Sequence, residues 1–299
     1  MHLTGFKKDA RYFQISFQTL FLCYGLIYLH WTAEWVLYAT YFGSGLAAQF
    51  FSELIFKKSR TKKLSVEWFN QFKTGIPSVI ISSFGLILLL KTNEFTVAIL
   101  ASIVAILSKY IIRINGKHIF NPSALGIVVA VYLSGEAWIN PGQWGSNIVI
   151  LFGVMCLGFI VTTRVQKLDL SLAFIGTFGA LLFVRQILYL GWPMDYFIQS
   201  ISTGSLLIFT FFMITDPKTT PNHWLARIIW SIAIAVVSFY LATFQFMVGA
   251  PILVLVLAQP LVPILDKLFM AKKFEWSTEK VIHQSETQIL KTIRYKSFI

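Results

Sequence analysis

Charged residues are scarce in this chain. Asp, Glu, Lys and Arg together make up 13% of its 299 residues, whereas soluble domains contain about 25%. Acidic residues are the scarcer kind, with 13 Asp and Glu beside 25 Lys and Arg. So few charges cannot cover a protein surface with solvated side chains, and this composition excludes a soluble globular protein.

Residues that carry metal or haem chemistry are also few. The chain has two Cys, no Cys-x-x-Cys pair and five His. The five His lie at the ends of predicted spans or in the termini, so no bis-His haem pair is expected within a bilayer. The first residues lack a short apolar core followed by a small-residue cleavage site, and we expect no removable signal peptide.

Long apolar runs fill the rest of the sequence. Hydrophobic residues make up 56% of the chain, and the mean hydropathy is +0.69. Runs of about twenty apolar residues recur, which is long enough for a helix to cross a bilayer. We therefore predict an all-α polytopic membrane protein with spans at 13–30, 36–56, 74–91, 95–112, 119–134, 147–163, 168–190, 198–215, 225–243 and 247–266. No polar stretch is long enough for a separate soluble domain, so residues 1–266 form one membrane domain and 267–299 a basic cytoplasmic tail.

The basic residues support this topology. With the N-terminus in the cytoplasm, 23 of the 25 Lys and Arg fall in cytoplasmic loops or termini, leaving only Lys91 and Arg185 elsewhere. Cytoplasmic loops of membrane proteins are enriched in these residues. The net charge of +12 is thus explained without nucleic acid as a partner. Both termini are predicted to be cytoplasmic, in a bacterial inner membrane.

Ten spans divide into two halves of five, about 13–134 and 147–266. An odd number of spans per half makes the second half run inverted relative to the first, a common plan for membrane transporters. The segment "ISSFGLILLLKTNE" (81–94) ends the third span much as "ISTGSLLIFTFFMITDPKT" (201–219) ends the eighth. The pattern predicts two inverted five-helix repeats.

The stretch "GKHIFNPSALG" (116–126) places polar residues directly before an apolar helix. Asn121 is a favoured N-cap, and Pro122 is favoured at the first helical position. Gly126 permits close helix packing. These residues could serve only to start the helix, or the helix N-terminus could bind an anion with help from Lys117, His118 and Ser123. The sequence leaves both readings open.

A second polar segment, "FFMITDPKTTPN" (211–222), closes the eighth span on the same predicted face. Asp216 precedes a proline and should end the helix. An acid is unfavourable at a helix C-terminus, so a cation is expected beside it: Lys218, Lys117 or Arg227. We expect Asn121, Thr215 and Asp216 to approach one another at one cytoplasmic vestibule.

These two motifs resemble the membrane subunits shared by Rnf and sodium-pumping NADH:quinone oxidoreductase complexes, the RnfD/NqrB family. The segments "SKYIIRINGKHIFNPSALG" (108–126) and "FFMITDPKTTPN" are similar to its Asn-Pro and Thr-Asp-Pro motifs, in the same order. The sequences of these two segments most resemble those of a divergent branch of the family that is encoded beside enediyne biosynthesis genes. The resemblance implies a urea-transporter-like fold of two inverted repeats, bound flavin, and electron transfer with other membrane or redox subunits.

One departure from the family concerns covalent flavin. In redox members of the family, FMN is esterified to a Thr in a Ser-Gly-Ala-Thr-like stretch after the Asn-Pro helix. The corresponding loop here, "SGEAWINPGQWGSN" (134–147), begins with Ser134 and Gly135, and no Thr occurs between 135 and 161. A phosphoester needs a hydroxyl acceptor. Covalent FMN is therefore not expected, and a non-covalent flavin is left open.

Four other residues within the predicted spans have simpler explanations. Glu53 lies four residues before Lys57 and could pair with it on the helix surface. Arg185 could reach outward to solvent or pair with Asp195 or Glu136. Cys23 and Cys156 lie near the middles of spans one and six, where inverted symmetry could bring them together as half of an iron–sulfur site shared with another subunit. Cys is also an ordinary small apolar residue in membranes.

Two functions are compatible with these observations. The first is a membrane electron-transport subunit coupled to ion movement, or a role derived from it. Such a protein would be a non-catalysing membrane subunit of an oxidoreductase complex. The second is a non-redox transporter or channel for a small solute or ion. Architecture alone does not decide between them, because one fold serves many functions.

Overall fold

The computed structural model describes residues 10–58, 66–140, 158–160, 162–163, 166–272 and 274. In this part of the chain the protein is mostly helical. Its first five helices are α1 (Ala10–Ile27), α2 (Trp35–Lys58), α3 (Val66–Leu89), α4 (Phe95–Ile111) and α5 (Pro122–Val129). After the segment 141–157 they are followed by α6 (Leu168–Phe183), α7 (Met194–Ile201), α8 (Gly204–Ile208), α9 (Trp224–Phe244), α10 (Ala250–Ala258) and α11 (Val262–Leu268).

Several helices change their hydrogen-bonding pattern before they end. The helices α5, α6 and α8 continue as π-helical turns over Ala130–Ser134, Val184–Tyr189 and Phe209–Met213. A 3-10 turn, Gln259–Leu261, joins α10 to α11. π-Helical turns are rare and often occur near functional sites. The fold therefore contains interrupted helices in both halves of the chain.

Four described helical segments are long and apolar enough to cross a membrane: Phe72–Leu89, Leu168–Tyr189, Trp224–Phe244 and Ala250–Leu268. The pair Met194–Ile201 and Gly204–Met213, bent by 49°, makes a fifth if it is counted as one span. The chain is thus a multi-pass membrane protein. Helices also lie on the other predicted spans that fall within the described residues, but α4 and the α5 segment are short. The greater part of the predicted sixth span, 147–157, lies outside the described residues.

The helices α1 and α2 are long but are less apolar than the four candidate spans, because they contain polar side chains. They carry Gln14, Gln18, Gln49 and Glu53 within otherwise apolar sequence. Gln18, Gln49 and Glu53 are buried, with 1–2% of their surface exposed. Polar residues inside membrane helices are costly and mark functional positions. These residues therefore indicate a candidate functional site in the interior of the bundle.

Two short β-ladders fix the ends of helices. β1 (Leu90–Thr92), which follows α3, pairs antiparallel with β4 (Ala137–Ile139), which follows α5. β2 (Arg113–Ile114) and β3 (Lys117–His118) form a hairpin between α4 and α5. Its two-residue loop is Asn115-Gly116, with φ of 52° and 81°. Both values are positive, as a type I′ turn requires, and Asn-Gly is the preferred pair for that turn.

Helix packing places α5 at the centre of the bundle. It contacts α3 and α4 of its own half and α10 of the other half. A Cβ at Gly126 would lie 2.6 Å from the Ala101 carbonyl oxygen, so only glycine allows α5 to approach α4 this closely. The predicted role of Gly126 in close packing is confirmed. The start of α5 is thereby held between the two halves.

Candidate functional site: a polar cavity between two helix ends

Asn121 caps α5 and also reaches the other half of the chain. Its Oδ1 accepts hydrogen bonds from the Ala124 N–H at 3.1 Å and the Ser123 hydroxyl at 3.0 Å. Because a backbone N–H can only donate, this cap fixes the amide orientation and turns Nδ2 toward the Met213 carbonyl oxygen, 3.3 Å away. The predicted N-cap, with Pro122 in the first turn, is confirmed. The residue is also a bridge between helix ends.

Asp216 ends the α8 segment within reach of this cap. Its Oδ2 lies 3.5 Å from Asn121 Nδ2, and its Oδ1 accepts the Lys218 backbone N–H at 3.1 Å. Thr215 lies beside it, although its hydroxyl donates to the Phe211 carbonyl of its own helix. The expected approach of these helix ends is therefore observed. Whether Thr215 and Asp216 bind a ligand stays a prediction.

Among the described residues, His118 is the ionisable side chain that pairs with Asp216. His118 Nε2 lies 3.9 Å from Asp216 Oδ2. Burial lowers the pKa of His118 below its usual value. Burial alone would raise the pKa of Asp216, but hydrogen bonding and charge from His118 and the Lys218 N–H lower it. The Asp216 carboxylate and the His118 imidazole therefore influence each other's pKa.

The expectation that Lys117 neutralises Asp216 is wrong. Lys117 Nζ instead lies 2.9 Å from Asp266 Oδ2 and also donates to Asn222 Oδ1 and the Thr220 carbonyl. The reason is the hairpin: neighbouring side chains on a strand point to opposite sides. Lys117 and its partner Ile114 line one cavity, of about 310 Å³, and not a second, whereas Arg113 lines only the second and its partner His118 lies between the two and lines both.

Arg227 is not the partner of Asp216 either. Its Nε lies 2.6 Å from Asp169 Oδ2, and its Nη1 donates to the Asn222 carbonyl. Lys218, the third proposed partner, supplies its backbone N–H to Asp216, and its side chain lines the cavity described next. We call the surface that carries the exposed and half-buried cations of this region the basic face, defined by Arg113, Lys117, Lys218, Arg227 and Lys267.

Asn121 and Asp216 form part of the wall of one cavity of about 240 Å³, which we call the polar cavity. It is enclosed by α1, α2, α3, α4, the hairpin, the start of α5 and the end of the α8 segment. Its walls combine ionisable, amide and hydroxyl side chains with a few apolar ones such as Phe212. The ionisable and amide residues that line it are Arg11, Gln14, Gln18, Gln49, Glu53, Lys109, Tyr110, Arg113, His118, Asn121, Asp216 and Lys218.

Several buried polar atoms in this wall lack a hydrogen bond within the described part of the chain. The Oε1 atoms of Gln18 and Gln49 and the Nζ atom of Lys109 have no hydrogen-bond partner among the described residues. More than nine-tenths of buried polar groups in proteins do have a partner. These three atoms come from three helices and meet around one cavity, which makes the polar cavity the candidate functional site.

Most of this wall was missed by sequence reasoning. The predicted residues Lys117, His118, Asn121, Ser123, Thr215, Asp216 and Lys218 lie near the two helix ends, and all of them except Lys117 line the polar cavity. Gln18, Gln49 and Lys109 were not predicted. The available signal was the presence of glutamines inside apolar helices α1 and α2. That signal does not say which faces meet.

Two intramembrane charges have different surroundings from those expected. Glu53 Oε1 accepts hydrogen bonds from Gln49 Nε2 at 2.6 Å and the Tyr110 hydroxyl at 3.1 Å, inside the polar cavity. Glu53 is thus buried and not on the helix surface, while its predicted pairing with Lys57 stays a prediction, because the Lys57 side chain lies outside the described part of the structure. The Arg185 guanidinium lies 4.6 Å from the centre of the Phe244 ring. This cation–π contact replaces the predicted ion pair with Asp195 or Glu136.

The possible iron–sulfur pair of Cys23 and Cys156 is not tested by the structure. Cys23 is exposed and free, and Cys156 lies outside the described residues. Within the part of the chain that the structure describes, no group of three or more His, Cys, Asp and Glu side chains could hold a metal ion.

Comparison with known proteins gives one family. Residues 132–275 match the model of the NQR2, RnfD, RnfE family. None of the curated proteins matches the chain. The matched segment includes the Thr-Asp-Pro turn that meets Asn121 in the polar cavity. Over residues 132–275, the chain is therefore similar to the NQR2, RnfD, RnfE family.

Proposed function

We propose that this protein is a membrane electron-transport subunit that holds a flavin, without a covalent bond, in the polar cavity. Electron transport coupled to ion movement follows from the family. The observation that carries the proposal is the cluster of unsatisfied buried atoms, from Gln18, Gln49 and Lys109, around the cavity where the two motif segments meet. Its partners would be the lipid bilayer and other membrane or redox subunits.

The residues of the polar cavity fit such a group in chemistry. The cavity volume of about 240 Å³ is somewhat below the range of about 300–1,000 Å³ typical of ligand pockets, so a flavin would fill the cavity completely. A flavin ring offers N–H donors and carbonyl acceptors along one edge. The Gln18 and Gln49 amide oxygens need donors, and the Lys109 ammonium needs an acceptor. Phe212 supplies an apolar surface.

A bound flavin would supply one- and two-electron redox chemistry. The protein would bind and orient it. Asn121 holds the start of α5 against the other half, because its N–H donates to Gln259 Oε1 at 3.0 Å and its Nδ2 donates to the Met213 carbonyl. Asp216 and His118 lie between the cavity and the basic face. They are placed to hold a proton at Asp216 Oδ2 or His118 Nε2.

Two observations support ten spans arranged as inverted repeats, with a single membrane domain over residues 1–266 and both termini in the cytoplasm. In the first half, the segments after the third and fifth spans meet as the β1–β4 ladder. In the second half, the corresponding segments meet where the Asn222 N–H donates to Asp266 Oδ1 at 2.8 Å. The fifth helix of each half also starts with a proline, Pro122 in α5 and Pro251 in α10.

A transporter for a small solute or ion is the second candidate, and one feature favours it. A smaller cavity of about 140 Å³ lies beside the start of α10 and the break before α8, where Thr203, Ser205 and Gly249 line it. The polar cavity lies beside the start of α5 and the end of the α8 segment. Each cavity thus adjoins the start of the fifth helix of one half, and binding sites of inverted-repeat transporters form at interrupted helices of this kind.

An absorption spectrum of the purified protein tests the proposal. The full chain, extracted in mild detergent, should show the visible absorption of a flavin, and acid precipitation should release that flavin into the supernatant. A colourless preparation that also fails to bind added FMN or riboflavin would contradict the redox function and favour transport.

A further inference from the structure

Lys109 is an unusual cation for a membrane helix. It lies in the last turn of α4, lines the polar cavity, and has a buried Nζ atom without a hydrogen-bond partner among the described residues. Burying an ammonium without an acceptor destabilises a protein strongly. A group retained at such a cost calls for an explanation outside the fold itself.

The carboxylates of the cavity are engaged by other donors. Glu53 accepts hydrogen bonds from Gln49 and Tyr110. Asp216 accepts the Lys218 N–H and lies beside Asn121 and His118. In the described part of the chain, both carboxylates lie within electrostatic range of Lys109, but neither forms a hydrogen bond or an ion pair with it.

Positive charge exceeds negative charge around the cavity. Its described lining contains four permanently or normally positive side chains, Arg11, Lys109, Arg113 and Lys218, and two carboxylates, Glu53 and Asp216. Arg113 and Lys218 belong to the hairpin and the turn on the basic face. Along α3 the lining runs from Thr74 to Gly85, which at 1.5 Å per residue is about 16 Å of helix. The cavity is therefore elongated, with cations toward the basic face and neutral side chains such as Gln18 and Ser82 along it.

We propose that Lys109 anchors an anionic group of the ligand in the polar cavity, while Gln18 and Gln49 accept hydrogen bonds from N–H or O–H groups of the same ligand. The ligand class is an elongated anion that also carries donors. Among flavins this selects FMN, which has a phosphate, over riboflavin, which has none. This inference rests on one part of the proposed function, namely that the polar cavity holds a ligand.

The first test needs no ligand. We would compare thermal melting of the purified full chain with Lys109→Met and with Lys267→Met, which removes one positive charge from an exposed position on the same face. After small molecules are removed by gel filtration, Lys109→Met should melt at the wild-type temperature or higher. Lower melting of Lys109→Met, with Lys267→Met unchanged, would mean that Lys109 holds the fold and would overturn the proposal.

The second test measures selectivity. FMN, riboflavin and inorganic phosphate are titrated separately, and the shift in melting temperature is followed. Wild type and Lys267→Met should bind FMN more tightly than riboflavin by about tenfold or more, because hydrogen bonds to charged groups are the strong ones. Lys109→Met should lose this preference, and Lys109→Arg should keep part of it. If Lys109→Met kept the wild-type ratio of FMN affinity to riboflavin affinity, the proposed anion site would be wrong.

The three titrations separate the two proposals. If phosphate stabilises wild type but not Lys109→Met, and neither flavin binds, the anion site stands and the flavin function fails. If both flavins bind equally well to wild type and to Lys109→Met, the flavin function stands and the anion site fails. If none of the three stabilises wild type, the anion site is wrong.

Discussion

The side chains of Asn121 and Asp216 meet across the two halves of the chain, with Nδ2 and Oδ2 3.5 Å apart. Asn121 starts α5, and Asp216 follows the end of the α8 segment. A helix start and a helix end thus share one polar cavity, although 95 residues separate them. Most of the predictions below concern this meeting point.

Asn121→Ala should lower the free energy of unfolding by about 1 kcal/mol through the lost N-cap. The loss of the Nδ2 contact with the Met213 carbonyl adds to this effect. Asn121→Ser is the matched control, because a serine hydroxyl can still accept the Ala124 N–H. Thermal melting in detergent measures both variants. Equal melting of wild type and Asn121→Ala would show that the cap does not stabilise the protein.

Asp216→Asn should reduce retention of the bound ligand by about tenfold or more, since it removes a charged hydrogen-bonding group. The substitution conserves shape and leaves an oxygen for the Lys218 N–H. The amount of protein in the membrane should not change. Asp195→Asn, at an exposed position of α7, is the control. If Asp216→Asn retained as much ligand as wild type, the role of Asp216 would be only to end its helix.

No covalent flavin should be present. The loop 134–147 offers Ser134 but no Thr, and most of it lies outside the described residues. The protein band on a denaturing gel should show no flavin fluorescence, even when the flavin-transferring enzyme is co-expressed. A fluorescent band would identify an acceptor other than the family's Thr.

Reporter fusions test the ten-span topology. Fusions after Lys63, after Lys167 and at the C-terminus should report the cytoplasm, because the basic residues lie in these loops. A fusion after Trp138, next to the β1–β4 ladder, should report the opposite side. A cytoplasmic signal at Trp138 would refute the ten-span arrangement.

Lys167 should make stability depend on pH. It is buried before α6 and donates to the Pro221 carbonyl at 3.2 Å. Burial, followed by repulsion from Arg227 and Lys117, lowers the pKa of Lys167 to about 7, while in the unfolded chain it is about 10.4. Between these values the unfolded chain binds the extra proton, so stability rises with pH by up to about 1.4 kcal/mol per pH unit.

Melting curves at several pH values from 7 to 9 measure this effect, and Lys167→Met should show a smaller rise in melting temperature than wild type. Lys272→Met, which replaces an exposed lysine of the basic tail, should show the same rise as wild type. An identical rise in Lys167→Met would assign the pH dependence to other groups.

Local rules in the sequence determined the helix ends. Asn121 and Pro122 start α5, and the Asp216-Pro217 pair follows a helix end, because capping and the proline ring act within a few residues. Apolar runs likewise indicated where helices lie, and the two motifs indicated the family. These features depend on neighbours along the chain, so they can be deduced without a structure.

Only the tertiary structure decided which side chains face the polar cavity. The Asn115-Gly116 turn sends Lys117 to Asp266 and His118 to Asp216, and a single residue of register exchanges the two. Gln18, Gln49 and Lys109 come from three separate helices, and the rotation of each helix in the bundle brings them to one cavity. Sequence periodicity cannot give these rotations, because in a membrane both the lipid-facing and the buried sides of a helix are apolar.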